Sequence, residues 1–152
     1  MRRMVGVRTM LGVFLLAACL AGAARAQDTV APADRAAIQH VITAQIEAFR
    51  HDDGTAAFGF AAPRIRAMFG DAPHFLAMVR DAYPPVYRPR SVSFGTLTRQ
   101  DGSLVQKVEL VGPDGQGALA QGVLALYVME HEPDGNWRIA GCSLVKSERQ
   151  EI

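Results

Sequence analysis

Cysteine is scarce in this chain: Cys19 and Cys142 are the two present among 152 residues. That rules out a disulfide-stapled scaffold and leaves no cysteine pairs or cysteine–histidine sets of the spacing zinc requires. Four histidines, His40, His51, His74 and His131, show no paired spacing either, so no metal site is indicated. An excess of positive charge is missing too, with 16 Lys and Arg against 15 Asp and Glu; a nucleic-acid footprint is not expected. The longest apolar run, within Leu11 to Leu20, is too short to span a bilayer. Gly112 to Gly117 is glycine-rich but lacks the strand-turn-helix setting of a phosphate cradle. No Ser-His-Asp or Cys-His arrangement can be argued, because Cys142 falls within a strand pattern and reads as inert core. No cofactor is implied, and no motif identifies a reaction.

What is present begins with an export pattern. Arg2, Arg3 and Arg8 precede the apolar run, and Ala24-Arg25-Ala26 forms a small-x-small cleavage site before Gln27. Residues 1–26 therefore read as a signal peptide, 27–33 as a short linker, 34–147 as a single domain and 148–152 as a tail. The destination expected is periplasmic or secreted. Leu16-Ala17-Ala18-Cys19 also fits a bacterial lipoprotein box, and lipidation of Cys19 would anchor the domain to a membrane. Cleavage at Gln27 is the favoured processing. It removes Arg2, Arg3, Arg8 and Arg25, leaving twelve basic residues against fifteen acidic ones, a net charge of −3.

Helix-period sequence fills the first half of the domain. Asp34 is placed to cap a helix with Ile38, Val41, Ile42, Ile46 and Phe49 on one stripe. His51-Asp52-Asp53-Gly54 stops it, the glycine serving as C′ and an aspartate as the next N-cap. Thr55 to Ala62 and Pro63 to Phe69 read as short helices, the second closed by Gly70. Asp71 then caps a further helix carrying Phe75, Leu76, Val79 and Tyr83, which ends at Pro84.

Tyr83-Pro84-Pro85-Val86-Tyr87-Arg88-Pro89-Arg90 separates this half from the next. Its prolines favour rigid, extended backbone. Beyond it the period changes to two, with Val92, Phe94 and Thr96 on one strand face and Asp101-Gly102 as a hairpin turn to Leu104 through Val111. Ala118 to Glu130 and Trp137 to Lys146 follow, joined by a turn at Pro133 to Asn136. The fold class expected is α+β, helices packed on a curved antiparallel four-stranded meander. In the third strand Val123, Ala125, Tyr127 and Met129 alternate with Leu124, Leu126 and Val128, so both faces are apolar. Helices can cover one face; the other is left to a second subunit or to the sheet's own curl, and a homodimer through the outer face is the arrangement expected.

Two groups of candidate site residues emerge. Tyr83, Tyr87, Arg88 and Arg90 surround the proline-rich turn and would grip a small anionic or amphipathic ligand at a pocket rim; packed tyrosines and surface-paired arginines are the plainer account. Asp52, His74, Glu109 and Tyr127 could supply acid and base groups to a small cofactor-independent lyase or isomerase. Capping already accounts for Asp52, and a solvated role for His74 and Glu109.

The layout of helices followed by a meander, closing on Asp134-Gly135-Asn136-Trp137-Arg138-Ile139, resembles the nuclear-transport-factor-2-like superfamily. More closely, Ala48 to Gly54, Ile65 to Gly70, and Phe75 to Arg80 through Tyr83 to Pro89 resemble a bacterial family known only as domain of unknown function 4864. The resemblance implies a cone-like fold in which a curved sheet wraps the first helix around a cavity. It brings no activity, since the superfamily includes isomerases, dehydratases and pure binding modules. A non-catalytic binding or assembly module of the cell envelope is the function expected.

Overall fold

The computed structural model describes residues 30–113 and 122–146. The signal segment with Cys19, residues 27–29 of the expected linker, the bulk of the Gly112 to Gly117 connection and the 148–152 tail lie outside them. Among the described residues, α1 (Pro32–Arg50), α2 (Gly54–Gly59), α3 (Pro63–Phe69), α4 (Ala72–Ala82) and α5 (Pro84–Tyr87) precede β1 (Ser91–Gln100), β2 (Ser103–Val111), β3 (Val123–His131) and β4 (Trp137–Lys146). The strands form one open sheet in the order β1-β2-β3-β4, each pair antiparallel. This is the expected α+β meander.

The stripe on α1 supplies the centre of the core. Ile38, Ile42, Ile46 and Phe49 are at most 1% exposed and cluster with Val108, Leu110, Ala125 and Tyr127 from the inner face of the sheet. Each of the isoleucine, phenylalanine, valine and leucine side chains contributes roughly 1.5–3 kcal/mol through burial.

Local differences from the sequence reading have identifiable causes. Helix α1 starts at Pro32, after Ala31, and Asp34 is in its first turn rather than at its cap. Proline lacks only an N–H that the first helical position leaves unpaired anyway, so the helix can begin there. Asp34 instead accepts from the Trp137 indole Nε1 at 3.2 Å, tying α1 to β4. At the other end Asp52, with φ 56°, takes the left-handed position expected of Gly54. Gly54 opens α2 in a space where a Cβ would sit 3.2 Å from the Leu76 side chain. The caps at Asp53 and Asp71 form as expected, accepting from the Ala56 and His74 backbone N–H groups at 2.9 Å each.

The proline-rich stretch is not extended. Pro84 and Pro85 occupy the first positions of the single-turn helix α5, where proline is tolerated, and Pro85 and Val86 are buried. Strand β1 begins at Ser91, directly after this stretch. A bulge between Phe94 and Leu97 then puts Leu97 on the inner face and turns Thr96 out to solvent, contrary to strict alternation. Gln106 on β2 is the brace, its Nε2 donating to the Gly95 carbonyl at 3.0 Å and the Lys107 carbonyl at 2.8 Å. The Asp101-Gly102 turn has φ of 48° and 83°, the left-handed pair a two-residue hairpin requires.

Candidate functional site

The helices do not close completely over the sheet. Between α1, α3, α4 and β4 lies an open cavity of about 220 Å³. Phe49 of α1, Phe75 and Val79 of α4, and Ile139 of β4 form its buried walls. Phe75 anchors an aromatic cluster, with ring centroids 6.0 Å from Phe49, 5.3 Å from Phe58 and 5.6 Å from Phe69. The mouth is made by α3, which buries none of its residues completely; Ile65 and Phe69 are half-buried there, while Met68 is 67% exposed. Gly70, with φ 79°, ends α3 and turns the chain toward α4.

Three polar side chains line this space: Gln45, Tyr83 and Cys142. Gln45 is 3% exposed and donates through Nε2 to the Ala57 carbonyl at 3.1 Å, joining α1 to α2. The Tyr83 hydroxyl donates to the Cys142 carbonyl at 3.3 Å, joining the end of α4 to β4. Burial pushes the Cys142 thiol up to about 12, against a small opposing effect from the Tyr127 hydroxyl. Tyr127, opposite Cys142 on β3, is 0% exposed, and burial followed by the neighbouring thiol raises its phenol well above the usual range. No Asp, Glu, His, Lys or Arg is among the lining residues.

The candidates from sequence scatter across the molecule. Tyr83 alone of the proline-turn group lines the cavity. Tyr87 donates its hydroxyl to Asp52 Oδ1, and Arg88 NH2 meets Asp52 Oδ2 at 2.8 Å. Arg80 joins this exposed knot at 3.8 Å from Asp52, and both guanidinium groups lie over the Tyr87 ring, 5.5 Å away for Arg80 and 5.0 Å for Arg88. Arg90 lies along a separate groove with Arg50, Glu47 and Phe94. His74 is exposed and paired with the Asp71 carboxylate at 2.9 Å. Glu109 stands exposed, opposite in direction to the buried Val108 and Leu110, so it lies on the outer face. Of the eight, Asp52, Tyr87 and Arg88 meet directly in the exposed knot, outside the cavity, while Tyr127 and Tyr83 are each neighbours of Cys142.

Sequence reasoning missed Gln45 and Met78 as lining residues. Gln45 did carry a signal, being a polar residue three positions after Ile42 and four before Phe49, inside the apolar stripe. Met78 carried none, since a methionine on an amphipathic helix reads as ordinary core.

The fold and cavity together define a small α+β domain with an apolar, uncharged pocket between its helical layer and one edge of an open meander. Residues 31–152 match the family model described as a domain of unknown function, DUF4864, and the chain belongs to that family. No curated protein and no solved structure matches it.

Proposed function

We propose that this chain is an exported, nuclear-transport-factor-2-like module of the cell envelope that binds a small apolar or amphipathic molecule without chemically altering it. The observation that carries the reading is the open cavity of about 220 Å³ walled by Phe49, Phe75, Val79 and Ile139. Pockets of this character, mostly apolar with a few fixed polar groups, are the usual form of a small-molecule site. Acid–base chemistry would need a base within hydrogen-bond reach of the bound molecule. Asp52, His74 and Glu109 all lie outside the lining, which favours binding over a lyase or isomerase.

The test is native mass spectrometry of the chain purified from the envelope of its own host. A Gln27 or lipidated Cys19 terminus is the expected sign of export. A reproducible added mass, lost in a Met78→Trp variant that fills the cavity while keeping its far-UV spectrum, supports the binding reading. Ligand-free protein that also takes up no apolar probe overturns it.

A homodimer through the outer sheet face belongs to the same proposal. Leu124, Leu126 and Val128 are half-buried there and Val145 is 44% exposed, forming an apolar band beside Lys107 and Glu109. A twofold contact would set each Lys107 against the other copy's Glu109 on the same strand, a complementary pairing of the kind an isologous interface requires.

A further inference from the structure

The two edges of the sheet differ in what covers them. At β4 the chain between α2 and α3 bonds to Ile139, whose carbonyl accepts from the Ala62 N–H at 2.8 Å and whose N–H donates to the Phe60 carbonyl at 2.9 Å. At the other edge β1 pairs with β2 alone, and no backbone bond reaches its outer side among the described residues. Every second residue of an antiparallel strand turns its N–H and C=O away from its partner, so β1 presents a row of these groups unpaired. Native sheets blunt such an edge with prolines, charges or bulges. Ser91 to Thr98 contains no proline and no charged residue, and its bulge follows Phe94, which leaves Ser91, Val92, Ser93 and Phe94 as the open portion.

Beside that portion lies a groove of about 430 Å³ between α1 and β1. Val92 and Phe94, opposite the inner-face residues Leu110 and Val108, line it half-buried, and the buried Ile46 lines it from α1. One end of the groove is basic. Arg50 is engaged there by the Glu47 carboxylate and the Pro89 carbonyl, whereas Arg90 is exposed and its guanidinium makes no hydrogen bond or ion pair among the described residues. A strand added to β1 would pair the open backbone groups and set alternate side chains into the groove. A second copy's β1 suits this edge poorly: run antiparallel, it brings the Arg90 end of each strand to the Arg99 end of the other, and β1 holds no carboxylate to offset them. We propose that this edge takes, by strand addition, an extended segment of a partner protein that is apolar at alternate positions and carries a carboxylate beside Arg90. The groove shares no lining residue with the cavity, so segment binding and small-molecule binding stand or fall separately.

Two synthetic peptides, acetyl-Thr-Val-Thr-Val-Thr-Glu-amide and its Lys-ended counterpart, test this by titration and amide hydrogen exchange on the purified chain. Added antiparallel, the peptide's last residue lies beside Arg90. The Glu-ended peptide is expected to slow exchange at the outward-facing amides between Ser91 and Phe94, and to bind about fivefold more tightly than the Lys-ended one, the equivalent of one exposed ion pair. Arg90→Glu should reverse that order with an unchanged Tm, because the Arg90 side chain has no partner to lose. N-methylation of alternate peptide residues should abolish binding in one phase and spare it in the other, since a strand added to one edge uses only every second residue's N–H. Equal affinity of the two peptides, an order that survives in Arg90→Glu, protection confined to other residues, or no binding of either peptide overturns the proposal. Protection of the same amides that rises with the concentration of the chain alone gives the edge to a second copy and overturns it too.

Discussion

Cys142 and Asp52 are single residues whose surroundings set their behaviour. At Cys142 the thiol is held near 12 by burial, and the thiolate is the reactive form. At pH 8 about one molecule in ten thousand should carry it, so iodoacetamide labelling should be far slower than for a free thiol and rise about tenfold per pH unit. Labelling as fast as glutathione would show that the side chain is not enclosed. Asp52 combines a left-handed backbone with bonds to Tyr87 and Arg88. Replacing it by alanine loses a residue tolerant of that conformation along with half-exposed pairs of small worth, about 1–2 kcal/mol together in urea denaturation. Arg88→Ala and Arg90→Ala, by contrast, should leave binding of apolar probes unchanged, because neither side chain lines the cavity. Lost probe binding in either variant, with the fold intact, would move the site to the proline-rich turn.

Elements owe their ends and bends to a few side-chain brackets. The Asp71 carboxylate, accepting from the His74 backbone N–H at the start of α4, is held below the usual carboxylate range, chiefly by that bond. Asp134 is held low in the same way by the Asn136 backbone N–H in the β3–β4 turn. A carboxylate whose folded pKa is depressed stabilises the fold above its unfolded pKa and loses that contribution as pH falls through the folded value. Urea midpoints should therefore drop as pH is lowered from 5 through the region below about 4, and Asp71→Ala should flatten part of that dependence. An unchanged pH profile in the variant would remove Asp71 from the account. In β1 the bulge depends on Gln106; Gln106→Leu should cost about 1–3 kcal/mol by stranding the carbonyls of Gly95 and Thr96. A neutral result would mean that water or a shifted register serves those carbonyls as well.

For the whole molecule, the proposed dimer through the outer sheet face makes a prediction about assembly. Sedimentation at micromolar concentration should give twice the chain mass, and Leu126→Glu on that face should return monomers that remain folded. A parent chain that sediments as a monomer would leave the apolar band without its proposed partner. The helices, the meander and its hairpins were legible in the sequence because amphipathic period, capping aspartates and the Asp101-Gly102 turn are local signals. The start of α1, the helical turn at Pro84 and the shift at Thr96 were not, because each is settled by a distant contact: Asp34 with Trp137, Val86 with the core, and Gln106 with the bulge.

The candidate site was legible only in part for the same reason. Sequence by itself determined which residues are apolar, the order of the long helices and the strands, and that both faces of β3 are apolar, since these depend on side-chain type and spacing along one strand or helix. Tertiary structure alone decided that Gln45, Met78, Tyr83 and Cys142 share one cavity while Asp52, His74 and Glu109 stand apart from it. Packing brings together side chains from elements far apart in the chain, and no local period records which of them will leave a space between them.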